Sequence, residues 1–214
     1  MGLRGGAGVR PADSLDSVTM DRFQNTRQPD WDWWGRLWPT PGETLRRLGV
    51  TPDSRLVEIG CGNGYFTLPA ARITDPETVT ALDLDGALLD ELAHLADRQG
   101  ITNIDTVKGD ARELDAHLDE PVDIALFANT LHGVEDKAGL VEQVAAVLEP
   151  GGRFVVVNWA DRPRAETTVA GAPRGPPEDL RMAREATRDL LAPQFSTLET
   201  GDVPPYHYAV VGIK

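Results

Sequence analysis

Three acids, a histidine and a cluster of glycines carry the chemistry this chain can offer. The stretch Val57-Glu58-Ile59-Gly60-Cys61-Gly62-Asn63-Gly64-Tyr65-Phe66 sets an acid two residues ahead of glycines on alternate positions. An apolar run precedes it and a helix-like run follows, so it reads as a strand, a tight turn and a helix start. Glycines there let a ligand approach the main chain without meeting a Cβ atom. A dinucleotide fingerprint, G-x-G-x-x-G, would need its last glycine where this chain has Tyr65. No G-x-x-x-x-G-K-[ST] run occurs either, which excludes the usual nucleoside triphosphate cradle. A carboxylate beside the turn is a poor neighbour for a pyrophosphate and a good one for a cation.

Further polar residues follow at regular intervals. Asp83-Leu84-Asp85 closes a second strand, Gly109-Asp110-Ala111 a third and Asn129-Thr130-Leu131-His132 a fourth, while Pro150-Gly151-Gly152 precedes a fifth. In this order, from about residue 43 to 214, the chain resembles the class I S-adenosylmethionine (AdoMet) dependent methyltransferases. Their cofactor carries a sulfonium and an ammonium and no phosphate. The resemblance implies that Glu58 and the loop Gly60, Cys61, Gly62 and Gly64 hold the methionine end, with Asn129 also at the cofactor. It implies that Asp83 accepts from both ribose hydroxyls, that Asp110 takes the adenine amino group and the Ala111 amide the adjacent ring nitrogen, and that Leu84 lies on the adenine face.

Residue chemistry agrees with those roles. A vicinal diol offers two donors that one ionised carboxylate accepts together, and an exocyclic amine also needs an acceptor. Asp85 competes with Asp83 for the ribose, but its place before Gly86 and Leu88 suits a helix N-cap. Cys61 reads as a small structural residue, since no base accompanies it.

Methyl transfer from a sulfonium is an in-line displacement in which positioning supplies much of the acceleration. His132, just after the fourth strand, is the candidate base if the acceptor must lose a proton; the competing reading is a histidine satisfied by loop backbone. No two of His94, His117, His132 and His207 have metal-ligand spacing, so no metal is expected. The expected function is methyl transfer to a small-molecule acceptor. The alternatives are a catalytically silent AdoMet-binding or regulatory protein and, further off, a nucleotide-dependent oxidoreductase.

Acceptor contacts are sought among Trp159, Arg164, Arg174, the Tyr206-His207-Tyr208 strand and the tryptophans, a lining suited to a planar or carboxylated molecule. Trp31, Trp33, Trp34 and Trp38, four of the five tryptophans, form either a packed clasp or a lid over the cofactor. Arg181, Arg184 and Arg188 read as a solvated helix face. Asp202-Val203-Pro204-Pro205-Tyr206 reads as a proline turn, not the D-P-P-Y motif of amino-group DNA methyltransferases.

These residues need a frame that delivers them to one edge. Five alternations of strand and helix predict a parallel, doubly wound α/β sheet with ligands at the carboxyl ends of the strands. The strands are expected at Arg55 to Ile59, Val79 to Leu82, Ile104 to Val107, Val122 to Phe127 and Phe154 to Asn158. Two more follow at Phe195 to Leu198 and Tyr206 to Val211. Helices are expected at Pro41 to Leu48, Tyr65 to Ile73 and Glu178 to Leu191. Leu88, Leu92 and Leu95 mark the inner face of a further helix, and Leu140, Val144 and Val147 that of another. The resemblance implies a Rossmann-like three-layer sandwich with a mostly parallel seven-stranded sheet and an antiparallel last strand.

Composition narrows the partners. The chain has 214 residues, room for one α/β domain, and a formal charge of −13 that disfavours nucleic acid. Only Lys108, Lys137 and Lys214 among 21 basic residues are lysines, a pattern that fits a salty cytosol or a GC-rich genome. One cysteine and no signal-like or membrane-length apolar run point to a cytoplasmic protein without stable membrane insertion; the oligomeric state stays open. Residues 1 to 19 are expected to be a disordered extension, or to precede a true start at Met20. Residues 20 to 42 form the aromatic lid or clasp, and residues 43 to 214 the methyltransferase-like domain.

Overall fold

A computed structural model describes residues 31–214, so the expectations for residues 1–30 lie outside the described part. One seven-stranded sheet organises the chain. Its strands are β1 (Leu56–Ile59), β2 (Val79–Asp83), β3 (Ile104–Lys108), β4 (Val122–Ala128), β5 (Leu148–Trp159), β8 (Thr197–Val203) and β9 (His207–Ile213). They lie in the order β3-β2-β1-β4-β5-β9-β8. β1 to β5 pair in parallel, and β9 runs antiparallel to both neighbours. The order turns back at β1 and β4, the switch point where the carboxyl ends of an open sheet leave a crevice.

Side chains alternate across the sheet, which divides the core into two layers. Leu56, Leu126, Val155, Val157 and Trp159 face α1 (Trp31–Leu37), α2 (Pro41–Arg47) and α3 (Thr67–Thr74). Val57, Ile59, Phe127, Phe154 and Val156 face α5 (Lys137–Val147) and α6 (Arg184–Leu191). The three-layer arrangement that the resemblance implies is what forms.

Several local expectations are corrected. Pro150-Gly151-Gly152 does not break the chain before the fifth strand; it lies inside β5, where the pairing with β4 jumps from Val122–Leu148 to Ile124–Arg153. Gly151 has a φ of 84°, so the bulge exploits the conformational freedom of glycine and no strand end is needed. The helix after β2, α4 (Gly86–Arg98), buries Leu89, Leu92 and Ala96, so the inner face is turned by one residue from Leu88 and Leu95. The single helix expected over 178–191 is a 3₁₀ turn at Glu178–Leu180 followed by α6. Pro176 and Pro177 before it favour extended backbone, and Arg181 between the two helices donates through Nη2 to Thr167 Oγ1 and to the Arg174 carbonyl.

The connection after β5 is partly ordered. It contains a 3₁₀ turn at Arg164–Glu166 and a hairpin of β6 (Thr168–Val169) and β7 (Ala172–Pro173), whose turn residues Ala170 and Gly171 both have positive φ. The expected proline turn forms at 204–206 between β8 and β9, while Asp202 and Val203 are paired in β8.

Candidate active site

The glycine loop leaves β1 at the crevice. Gly60, Gly62 and Gly64 have φ of 70°, 56° and 91°, a left-handed conformation that side-chain-bearing residues seldom take. Gly60 and Cys61 donate backbone N–H bonds to the Leu82 carbonyl, which fastens the loop to the end of β2. Two of the glycines also answer packing demands. A Cβ at Gly64 would stand 2.3 Å from Leu92 Cδ1, and one at Gly60 would stand 3.1 Å from the Thr130 side chain.

Asp83 completes the loop. Its Oδ2 accepts the Gly62 N–H at 2.8 Å and its Oδ1 the Asp85 N–H at 2.9 Å. A carboxylate has about four lone-pair positions, so acceptor capacity remains. Asp85 caps α4 through the Ala87 N–H at 2.9 Å. Between them Leu84 projects outward, the exposed large hydrophobic among the described residues.

Glu58 is buried in β1 and accepts from the Thr67 hydroxyl at 2.5 Å. Burial pushes its carboxyl up to about 8; the Thr67 hydrogen bond opposes the shift and the negative Asp83 adds to it. Thr67 begins α3 and is a partner that sequence reasoning missed. A buried acid needs a donor, and a hydroxyl at the next helix start is the signal that pointed to it.

Asp110 starts the 3₁₀ segment Ala111–His117 and accepts the Arg112 N–H at 3.0 Å. Its two oxygens also face the Arg112 guanidinium, with Nη2 at 2.5 Å. Ala111, half buried, follows directly. Ring atom Nε2 of His117 would stand 2.3 Å from a Cβ at Gly109, so the imidazole packs on this turn.

At the end of β4, Asn129 takes a φ of 64° while its N–H bonds the Val157 carbonyl of β5. Its Oδ1 is buried without a hydrogen-bond partner, an acceptor suited to a donor group such as an ammonium. His132 follows in the 3₁₀ turn Leu131–Gly133. Burial, aided by Lys137, lowers its imidazole to about 4, so the ring is neutral at neutral pH. Cys61 is buried, and burial with the nearby Glu58 and Asp83 charges pushes its thiol far up. It is inert as a nucleophile.

An aromatic layer covers the α3 side of this edge. Trp33 stacks on Trp34, and Trp34 on Trp38, both at 5.0 Å, and Trp34 also stacks on Tyr65 at 5.5 Å. The indoles at 33, 34 and 38 are buried in the core. Across the layer, His207 lies 4.5 Å from Trp38 and 4.2 Å from Trp159. Arg181, expected on a solvated helix face, is buried in the connection after β5. Tyr65 is the contact sequence reasoning missed: it stands where a dinucleotide glycine would be and carries the aromatic cover.

The predicted acids and amide thus gather along the carboxyl ends of β1, β2 and β4, with Asp110 and Ala111 beyond β3. Among the described residues no group of three His, Cys, Asp or Glu side chains is placed to hold a metal, and no helix is long and apolar enough to cross a membrane.

Known proteins share this fold. Residues 57–156 match the family described as "Methyltransferase domain". The ubiquinone/menaquinone biosynthesis C-methyltransferase UbiE of Vibrio parahaemolyticus is 26% identical over 181 residues, 84% of this chain and 64% of that protein. A fatty-acid O-methyltransferase of Mycolicibacterium smegmatis is 33% identical over 122 residues, 56% of this chain and 43% of that protein. A SAM-dependent methyltransferase from Aquifex aeolicus superposes with a TM-score of 0.69 at 17% identity, covering 84% of this chain and 91% of that one. Residues 57–156 thus resemble a methyltransferase domain, and the fold is shared with a solved SAM-dependent methyltransferase. The chain spans 64% and 43% of the length of the two curated relatives.

Proposed function

We propose that the protein transfers a methyl group from AdoMet to a small-molecule acceptor, as a methyltransferase of EC class 2.1.1. The observation that carries this reading is the shared edge itself: the Gly60 to Gly64 turn, the Asp83 carboxylate bound to the Gly62 N–H, and the buried orphan Asn129 Oδ1 stand at the carboxyl ends of the neighbouring strands β1, β2 and β4. AdoMet supplies an electrophilic methyl on a sulfonium, with a neutral thioether as leaving group.

The chain's own residues bind and orient. Glu58 and Asn129 offer oxygen acceptors to the methionine ammonium, and the glycine loop accommodates the carboxylate end. Asp83 keeps lone pairs for the ribose diol while holding the loop in shape. Leu84 gives the adenine an apolar face, the Ala111 amide a donor, and Asp110 an acceptor for the amine, in competition with Arg112. His132, neutral above about pH 4, is able to take a proton from the acceptor or to accept its hydrogen bond. The aromatic layer keeps water from the transfer, which positioning then accelerates by roughly 7 to 11 kcal/mol in favourable cases. The small-molecule acceptor is supported by the acidic charge balance and by the relatives' names, one placed in ubiquinone/menaquinone biosynthesis and one a fatty-acid O-methyltransferase.

The test is thermal stabilisation by S-adenosylhomocysteine, worth about 2.7 kcal/mol at a hundredfold excess over Kd, followed by transfer of radiolabelled methyl into a metabolite extract. Stabilisation by NAD alone would overturn the reading. Binding without label transfer would leave a silent AdoMet-binding protein.

A further inference from the structure

A groove of about 320 Å³ runs along the flank of the sheet, between α2 and the edge strand β8. Strand pairing creates it. On the face turned to α1 and α2, β9 presents Ala209 and Val211, and β8 presents Glu199, Gly201 and Val203. The middle row joins the two smallest of these residues, Gly201 with Ala209. A Cβ built on Gly201 meets no atom within 4 Å, so the floor there is bare main chain under open space. The short helix α2 walls the groove without filling it.

The walls are apolar along their length. Leu37 and Trp38 meet Val203 at one end, and Leu48 and Val211 line the rest. From Val203 to Glu199 the floor runs about 13 Å at roughly 3.3 Å per residue, the length of an extended chain of about ten carbons.

Charge is uneven along the same groove. Glu199 is paired with Arg153 at 2.8 Å, and Asp202 with Arg184. Arg47 is exposed on the α2 wall and belongs to none of the ion pairs among the described residues. Thr44 stands three residues before it on the same wall, within reach of one ligand group. In a chain of formal charge −13, this groove keeps an unmatched cation and no unmatched acid. A guanidinium and a hydroxyl beside an apolar trough complement a carboxylate carried on a hydrocarbon chain.

From this arrangement we propose a second ligand site: the groove takes a medium-chain carboxylate amphiphile, its chain over Gly201 and Ala209 and its carboxylate on Arg47. A neutral chain forgoes the charge-assisted bond, and a cationic one meets Arg47 with like charge. β4, β5 and β9 separate β8 from β1, four strand spacings or about 19 Å, so binding here is independent of the glycine loop.

Isothermal titration of the full chain at pH 7 with octanoate and with octanamide, both below micellar concentrations, tests the proposal. Octanoate is expected to bind with a Kd of about 1 mM or lower, at least fivefold more tightly than the amide. In Arg47→Gln the two ligands should fall within twofold of each other. Gly201→Val puts a strand-compatible side chain into the open space on the floor; it should abolish octanoate binding without lowering the urea midpoint. No octanoate binding at millimolar concentration, equal affinity for acid and amide, or binding that survives Gly201→Val would each overturn the proposal. So would a chain that sediments as a dimer and becomes monomeric in Gly201→Val, since a second copy would then occupy the groove. The acid-to-amide comparison and the exposed Arg47→Gln decide the matter even if Gly201→Val does not fold. Failure of S-adenosylhomocysteine to bind overturns the cofactor reading alone, because octanoate binding is read in its absence.

Discussion

The Tyr65 hydroxyl stands 2.6 Å from the backbone oxygen of Trp38, and also 3.1 Å from that of Trp34. The residue after the third loop glycine is thereby bonded to the carboxyl end of α1 and to the residue that follows it. The aromatic cover and the glycine loop are joined at one side chain. Tyr65→Phe, which keeps the Trp34 stack, should lower stability by about 1 kcal/mol in urea unfolding. Tyr65→Ala should cost roughly twice that or more, since an aromatic pair and its burial go as well. A Phe variant with unchanged stability would show that the hydroxyl contact holds nothing.

Glu58 gives a pH dependence whose sign is unusual for a carboxyl. Its pKa is raised in the folded protein, from 4.5 to about 8, so the folded state holds a proton that the unfolded state gives up. Stability from this group is present below 4.5 and is lost as pH rises through about 8. At about 1.4 kcal/mol per unit, the loss approaches an order of 5 kcal/mol at full ionisation. Glu58→Gln should be near neutral at pH 5 and more stable than the native chain at pH 9. Urea midpoints at the two pH values measure this, and a native-minus-variant difference independent of pH would refute it.

A cation placed beside Glu58 should reverse that shift. Binding of S-adenosylhomocysteine, which retains the ammonium, should therefore release close to one proton at pH 7. Titration calorimetry in two buffers of different ionisation enthalpy reads the proton count directly. In Glu58→Gln the release should vanish. Proton-neutral binding in the native chain would place the ammonium elsewhere.

Asp83 and Asp85 are separated by one residue and by role. Asp83→Ala frees the Gly62 N–H and removes the acceptor proposed for the ribose, so S-adenosylhomocysteine affinity should fall by a hundredfold or more. Asp85→Ala removes only the α4 cap, costing about 1 kcal/mol of stability with affinity within threefold. If Asp85→Ala is the variant that loses binding, the assignment is exchanged.

The legible parts of this chain were those set by local rules. Strand runs and the switch-point glycines follow from apolar periodicity and turn chemistry, so the sheet and the edge that gathers Glu58, Asp83, Asp110 and Asn129 could be read from residue order. Environment could not. That Glu58 is sealed under Thr67, that Arg112 closes on Asp110, and that Arg181 turns inward to hold Arg174 depend on contacts between distant segments. The one-residue rotation of α4 onto Leu89 and Ala96 is likewise a matter of packing against distant segments, with Leu92 common to both faces and seated against Gly64.

That pairing of Gly64 with Leu92 separates the two reasons for a glycine. With φ at 91° and Leu92 Cδ1 only 2.3 Å from where an alanine methyl would stand, Gly64→Ala carries both backbone strain, about 1 to 3 kcal/mol, and overpacking of similar size. Leu92→Ala alone costs about 2 to 5 kcal/mol as a core truncation. Because the truncation vacates the volume the new methyl would occupy, the double variant should be less destabilised than the sum by about 1 kcal/mol or more, measured as a double-mutant cycle in urea. Strict additivity would mean that the left-handed backbone alone requires glycine here. A double variant that regains stability yet not S-adenosylhomocysteine binding would mean that the ligand needs the bare main chain at Gly64 as well.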